Sequence, residues 1–155
     1  MLKAGLIGAG IGFVVTLVAA VITPCCNPPV AILLGLGVGV LAAVWERPAT
    51  SGDSAIEGAK AGAIATAGAL IGQMIGAVVN GLVVGPDRIR DIYRQFDIQM
   101  PLTPARYWVS NLGGNCFCAV IDIALGAALG ALGGVIWYQF SGKNKPPTSP
   151  LEERR

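Results

Sequence analysis

Histidine is absent from this chain and charge is scarce, with Asp, Glu, Lys and Arg together making up 13% of the 155 residues. An average soluble domain carries roughly 25%. Without histidine, no His-ligated haem or zinc site and no imidazole general base can be built from this chain alone. There is also no G-x-S-x-G, no phosphate-binding loop, no HExxH and no pair of carboxylates inside an apolar run. The sequence therefore predicts a non-enzymatic protein with no metal and no cofactor. A net charge of +2, with no basic face carrying interleaved aromatics, excludes nucleic acid as a partner.

What is present is apolar: 54% of residues are hydrophobic, and 22 glycines are scattered among Val, Ile, Leu and Ala without a G-x-y period. That pattern excludes collagen and a flexible linker. A helix crossing a ~30 Å hydrocarbon layer needs about 20 mostly apolar residues. Stretches at about 4–22, 30–45, 61–84 and 117–137 meet this requirement. Pro28 and Pro29 suit the first turn of the second. The third is interrupted by Gln73 and Asn80, and the fourth by Asp122. The expected fold class is an all-α integral membrane protein with four transmembrane helices in the lipid bilayer.

The chain also reads as duplicated. Lys3-Ala4-Gly5 recurs as Lys60-Ala61-Gly62. A shift of 91 positions lays Cys25 on Cys116, Gly35 on Gly126 and Gly39 on Gly130. Two repeated two-helix units follow, 1–48 and 49–140, with a flexible polar cytoplasmic tail at 141–155. Because the first span matches the third, it is read as retained and not as a cleaved leader.

Lipid offers helices little hydrophobic reason to associate, so small residues that let backbones approach take over. Gly8 and Gly12, then Gly35 and Gly39, then Gly68, Gly72 and Gly76, then Gly126, Gly130 and Gly134 each fall at four-residue spacing on one face of a span. These runs resemble the glycine-zipper patterns of many small membrane proteins, over the spans only. Four glycine-rich spans with cysteines at their ends also resemble, in outline, the Tim-type translocase family. That family's signature motifs have no residue-by-residue match here, and nothing is carried over from it.

Lysine and arginine counts favour both termini in the cytoplasm, since Lys3, Arg47, Lys60, Lys143, Lys145, Arg154 and Arg155 then lie inside. Arg88, Arg90, Arg94 and Arg106 lie outside. A bacterial plasma membrane is the expected location. In this topology Cys25, Cys26, Cys116 and Cys118 share the outer side, where disulfides are permitted. One or two bridges between the units are expected. A four-thiolate site lacks the usual two-residue ligand spacing, and cysteines acting as plain small apolar residues are the remaining reading.

Asp122 is the one charge inside a span, four residues before Gly126 and so on the packing face. A hydrogen bond to Asn80 is expected, with Gln73 nearby. Between the last two spans, 86–113 forms an outer insertion. Within it, 86–99 spaces Ile89, Ile92, Tyr93 and Phe96 as an interfacial amphipathic helix that faces headgroups or a partner subunit. Ser54-x-x-Glu57 fits a capping box before the third span. Taken together, the sequence points to a structural or accessory subunit in a homo-oligomer or larger membrane complex. The alternative is a small ion, proton or solute transporter or channel that uses Asp122.

Overall fold

The computed structural model describes residues 1–22, 28–97 and 103–142, over which the chain is helical, with no strand. Its helices are α1 (Leu2–Ile22), α2 (Pro28–Glu46), α3 (Ser51–Gln95) and α4 (Pro104–Trp137), and a π turn (Tyr138–Gly142) extends the last. All four helices are long and apolar enough to cross a membrane. Cys25, Cys26, residues 98–102 and the tail from 143 onward lie outside the described residues.

Two helices start earlier than the sequence suggests. The N-cap of α3 is Thr50, whose hydroxyl accepts from the Asp53 N–H at 3.0 Å. Ser54, the expected cap, instead lies inside the helix, and its buried hydroxyl donates to the Gly134 carbonyl at 2.7 Å. Thr50 precedes Asp53 by the same three residues that separate Ser54 from Glu57, so pattern alone does not choose between them. The helix α4 starts at Pro104, capped by Thr103, and not near Phe117. Asn111, Gly113, Gly114 and Asn115 break the apolar run there, yet they remain helical because the two asparagines find partners across the bundle.

A helix expected over 86–99 forms as an arm of α3. Gly85 breaks the helix with φ 68° and ψ 165°, a conformation open essentially to glycine alone, and Pro86 begins the arm in its first turn. The arm ends at Gln95, with Phe96 as its C-cap.

In the bundle, α3 packs against all three other helices, and α4 lies along both α3 and α2. The interior is made of small and polar residues: Ala4, Ala20, Ala42, Ala61, Ala65 and Ala77 are fully buried, as is Ser54. The large apolar side chains face outward, with Leu33, Leu82, Val83 and Phe117 at least 70% exposed. This is the reverse of a water-soluble core.

Glycine sets how closely the helices approach. A methyl group added at Gly39 of α2 or at Gly58 of α3 would overlap the carbonyl of Gly130 on α4, so three helices converge on one residue. One turn away, Gly126 meets Gly35 of α2 and Thr66 of α3. Along α1, Gly8 and Gly12 face Ala65 and Ala69, while Gly68, Gly72 and Gly76 of α3 receive Ala9, Phe13 and Ala20 in return. Gly134 closes the series against Ser54. At one end of the bundle the Met1 ammonium pairs with Glu46, and the Tyr138 hydroxyl donates to the Ala49 carbonyl at 3.1 Å.

Gly37 offers a control for Gly39, since it is exposed and a methyl group there meets nothing within 4 Å. Gly39→Ala is expected to destabilise the bundle by about 1–3 kcal/mol, the usual range for overpacking. Gly37→Ala should leave stability unchanged or slightly raised. Reversible unfolding in detergent, followed by circular dichroism, compares the two.

Candidate functional site

A line of polar side chains runs down the seam between α3 and α4. On α4, Asn111, Asn115 and Asp122 share a face, with Ala119 and Gly126 between and beyond them. At the Trp108 end, the Asn111 amide donates to the Ala77 carbonyl at 3.3 Å. Trp108 itself stacks against the bare backbone of Gly81, 2.7 Å from where a Cβ would stand. One turn further in, the buried Asn115 donates to the Asn111 carbonyl at 2.7 Å and accepts from Gln73 Nε2 at 3.0 Å. Gln73 and Asn115 are only 4% and 6% exposed, so each is the other's replacement for water.

The expected pairing of Asn80 with Asp122 does not form. Asn80 Nδ2 donates to the Val21 carbonyl at 2.7 Å. Val21 is within the last four residues of α1, where carbonyls have no partner inside the helix, so Asn80 satisfies a helix end. Asn80 is also at the wrong depth, level with Trp108 and Asn111. Asp122 lies eleven residues beyond Asn111, roughly 16 Å along the helix.

The true start of α4 also moves Asp122. It is fourteen residues from Trp108 and fifteen from Trp137, the middle of the helix and not its first turn. There it is half-buried at the edge of a small cavity shared with Thr16, Ala31, Thr66, Gln73 and Ala119. The cavity has room for a water molecule or a bare ion and for nothing larger. Among the described residues Asp122 has no ion pair, and no hydrogen bond reaches it.

Both threonines in this cavity direct their hydroxyl protons at backbone. Thr16 Oγ1 lies 2.5 Å from the Ala69 carbonyl and 2.8 Å from that of Gly12. Thr66 Oγ1 lies 2.9 Å from the Gly62 carbonyl. Sequence reasoning put no weight on Thr16, and it overlooked Thr66, Asn111 and Asn115. The four-residue spacing of the asparagines on the Asp122 face was the available signal.

The remaining candidates do not gather here. Cys116 is an exposed free thiol, so the second of two possible bridges is not formed. Cys118 is not a free thiol. On the arm of α3, Ile89 and Tyr93 are half-buried, while Ile92 and Phe96 are 43% and 71% exposed. Its charges pair locally, Arg90 with Asp87 at 3.2 Å and Arg94 with Asp91 at 3.9 Å. No group of three metal-ligating side chains occurs among the described residues.

No family model, no curated protein and no solved structure matches this chain.

Replacing either Gln73 or Asn115 with leucine should destabilise the bundle by orphaning its buried partner. A double-mutant cycle on the pair is expected to give a coupling of about 0.6–1.7 kcal/mol, the range of hydrogen bonds between membrane helices. Unfolding free energies of the four proteins in one detergent provide the check.

Proposed function

We propose that this chain is an integral membrane protein whose role is structural: a compact four-helix module, built from two repeated units, that packs in a homo-oligomer or against larger membrane partners. The observation that carries this reading is the convergence of α2, α3 and α4 on Gly130, where backbone meets backbone. The outward-facing Leu, Val and Phe side chains suit lipid tails. The arm after Gly85 suits the headgroup layer or a partner's surface.

The contacts also support the duplication. Gly35 and Gly39 meet Gly126 and Gly130, pairs 91 positions apart, and Gly8 and Gly12 meet Ala65 and Ala69, pairs 57 apart. These are the offsets of the sequence repeat. The glycine-zipper reading of the spans rests on the same pairs.

Two measurements test this reading. Proteoliposomes containing the purified chain should show no proton, sodium or potassium flux above empty vesicles, and native mass in mild detergent should show an assembly larger than one chain. Flux that disappears in Asp122→Asn would replace the structural reading with transport.

A single bridge between the units, from Cys118 to Cys25 or Cys26, belongs to the same proposal. Alkylation under non-reducing conditions should label Cys116 and leave Cys118 unlabelled until reduction. A bridge closing the long loop between the units should contribute about 2–4 kcal/mol. Labelling of Cys118 before reduction would remove it.

A further inference from the structure

We propose that Asp122, Gln73, Thr66 and Thr16 form an internal binding site for one small monovalent cation of about the size of sodium, in exchange with a proton. The inference concerns what the bundle binds and holds whether or not the module moves that cation.

A carboxylate at the centre of a membrane helix costs about 2.5–3.5 kcal/mol or more and is retained where something compensates it. Here no side chain does. Neither α1 nor α2 places a charge at this depth, and the nearest basic residue along α3 is Lys60, exposed and 3.6 Å from Glu57. No other ionisable group lines the cavity.

The cavity wall is suited to a cation by its hydrogen bonding. Thr16 and Thr66 have their protons directed at the carbonyls of Ala69 and Gly62, so what their hydroxyls retain is oxygen lone pairs. Gln73 donates its amide proton to Asn115, and its carbonyl oxygen remains an acceptor. With the two carboxylate oxygens, the neighbouring side chains supply five oxygen atoms and no thiol or imidazole, the ligand chemistry of a hard cation. One carboxylate balances one positive charge. A divalent ion would leave a net charge buried, and no group of three acidic or other metal-ligating residues is present to hold one. The cavity takes only a water-sized guest, which excludes an organic cation.

The duplication proposed above gives the site a further property. Thr16 and Gln73 are 57 positions apart, and Ala31 and Asp122 are 91 apart, so both pairs are repeat equivalents that line one cavity. Aspartate at one position and alanine at its proposed equivalent leave the cavity with a single negative charge.

Dicyclohexylcarbodiimide modifies carboxyl groups in apolar surroundings when they are protonated, and it tests the site in the purified full chain. Modification should map to Asp122 by peptide mass spectrometry. Excess sodium chloride should slow it, relative to choline chloride at equal ionic strength. Over the pH range where the carboxyl group is mostly protonated, lowering the pH by one unit should raise the sodium needed for half-protection by about tenfold, because proton and cation compete for the carboxylate. Thr66→Val, which keeps the volume beside Gly126, and Thr16→Val should leave Asp122 reactive. Each should raise the half-protecting sodium concentration by about tenfold or more, the factor produced by 1.4 kcal/mol.

A second readout is the melting temperature in detergent. Sodium should raise it in the native chain and not in Asp122→Asn. Modification of Asp122 at the same rate in sodium, potassium, lithium and choline would overturn the proposal, leaving a carboxyl group that binds protons alone. A melting temperature indifferent to the cation would overturn it equally.

Discussion

The structure depends on one approach, that of the backbones of α2 and α3 to Gly130. Helices surrounded by lipid tails gain nothing by hiding leucine from them, because the tails are as apolar as leucine. What remains is dispersion between close-packed atoms, and it falls steeply with small gaps. Gly39, Gly58 and Gly130 remove the side chains that would hold the axes apart. Once they meet, Gly35, Gly62 and Gly126 one turn away are in register without further adjustment. The cost of this design is that no single methyl group can be added at the junction.

Close approach in turn determines where polar groups can go. Each helix end must have its carbonyls answered and each buried amide its partner. Asn80 answers α1 at Val21, Ser54 shares the Gly134 carbonyl of α4 with the Tyr138 N–H, and Gln73 and Asn115 answer each other. These bonds occupy the same faces as the glycines, so register set by packing is also register set by hydrogen bonding. Asp122 is the exception. It occupies a packing face, yet it faces a cavity and not a partner.

The sequence made some of this legible and left the rest hidden for physical reasons. Apolar length located α1 and α2 to within two residues, and four-residue spacing identified glycines that meet neighbours. Spacing did not show that Gly37 is open while Gly39 is closed, since that depends on which helix stands opposite. Helix starts were misread at Ser54 and near Phe117. In both places a polar residue that looked like a boundary from its own neighbours is bonded to a helix distant in sequence. Asn80 and Asp122 seemed natural partners because the start of α4 was placed thirteen residues too late, which made their depths look alike.

On the proposed duplication, Asp122 is a position where the two units differ. Where equivalent positions of two identical units meet, a carboxylate in one would face a carboxylate in the other. Two such charges side by side in an apolar interior repel strongly and cannot both remain ionised. A chain that carries both units can differ between them, and this one has alanine at position 31 and aspartate at position 122 in a single cavity. The same asymmetry gives threonine at position 16 and glutamine at position 73, two neutral oxygen donors in place of two identical ones. Where equivalents meet for packing both stay small, Gly35 with Gly126 and Gly39 with Gly130, and Gly8 and Gly12 with Ala65 and Ala69. The polar residues diverge, because a site for one charge requires that they do.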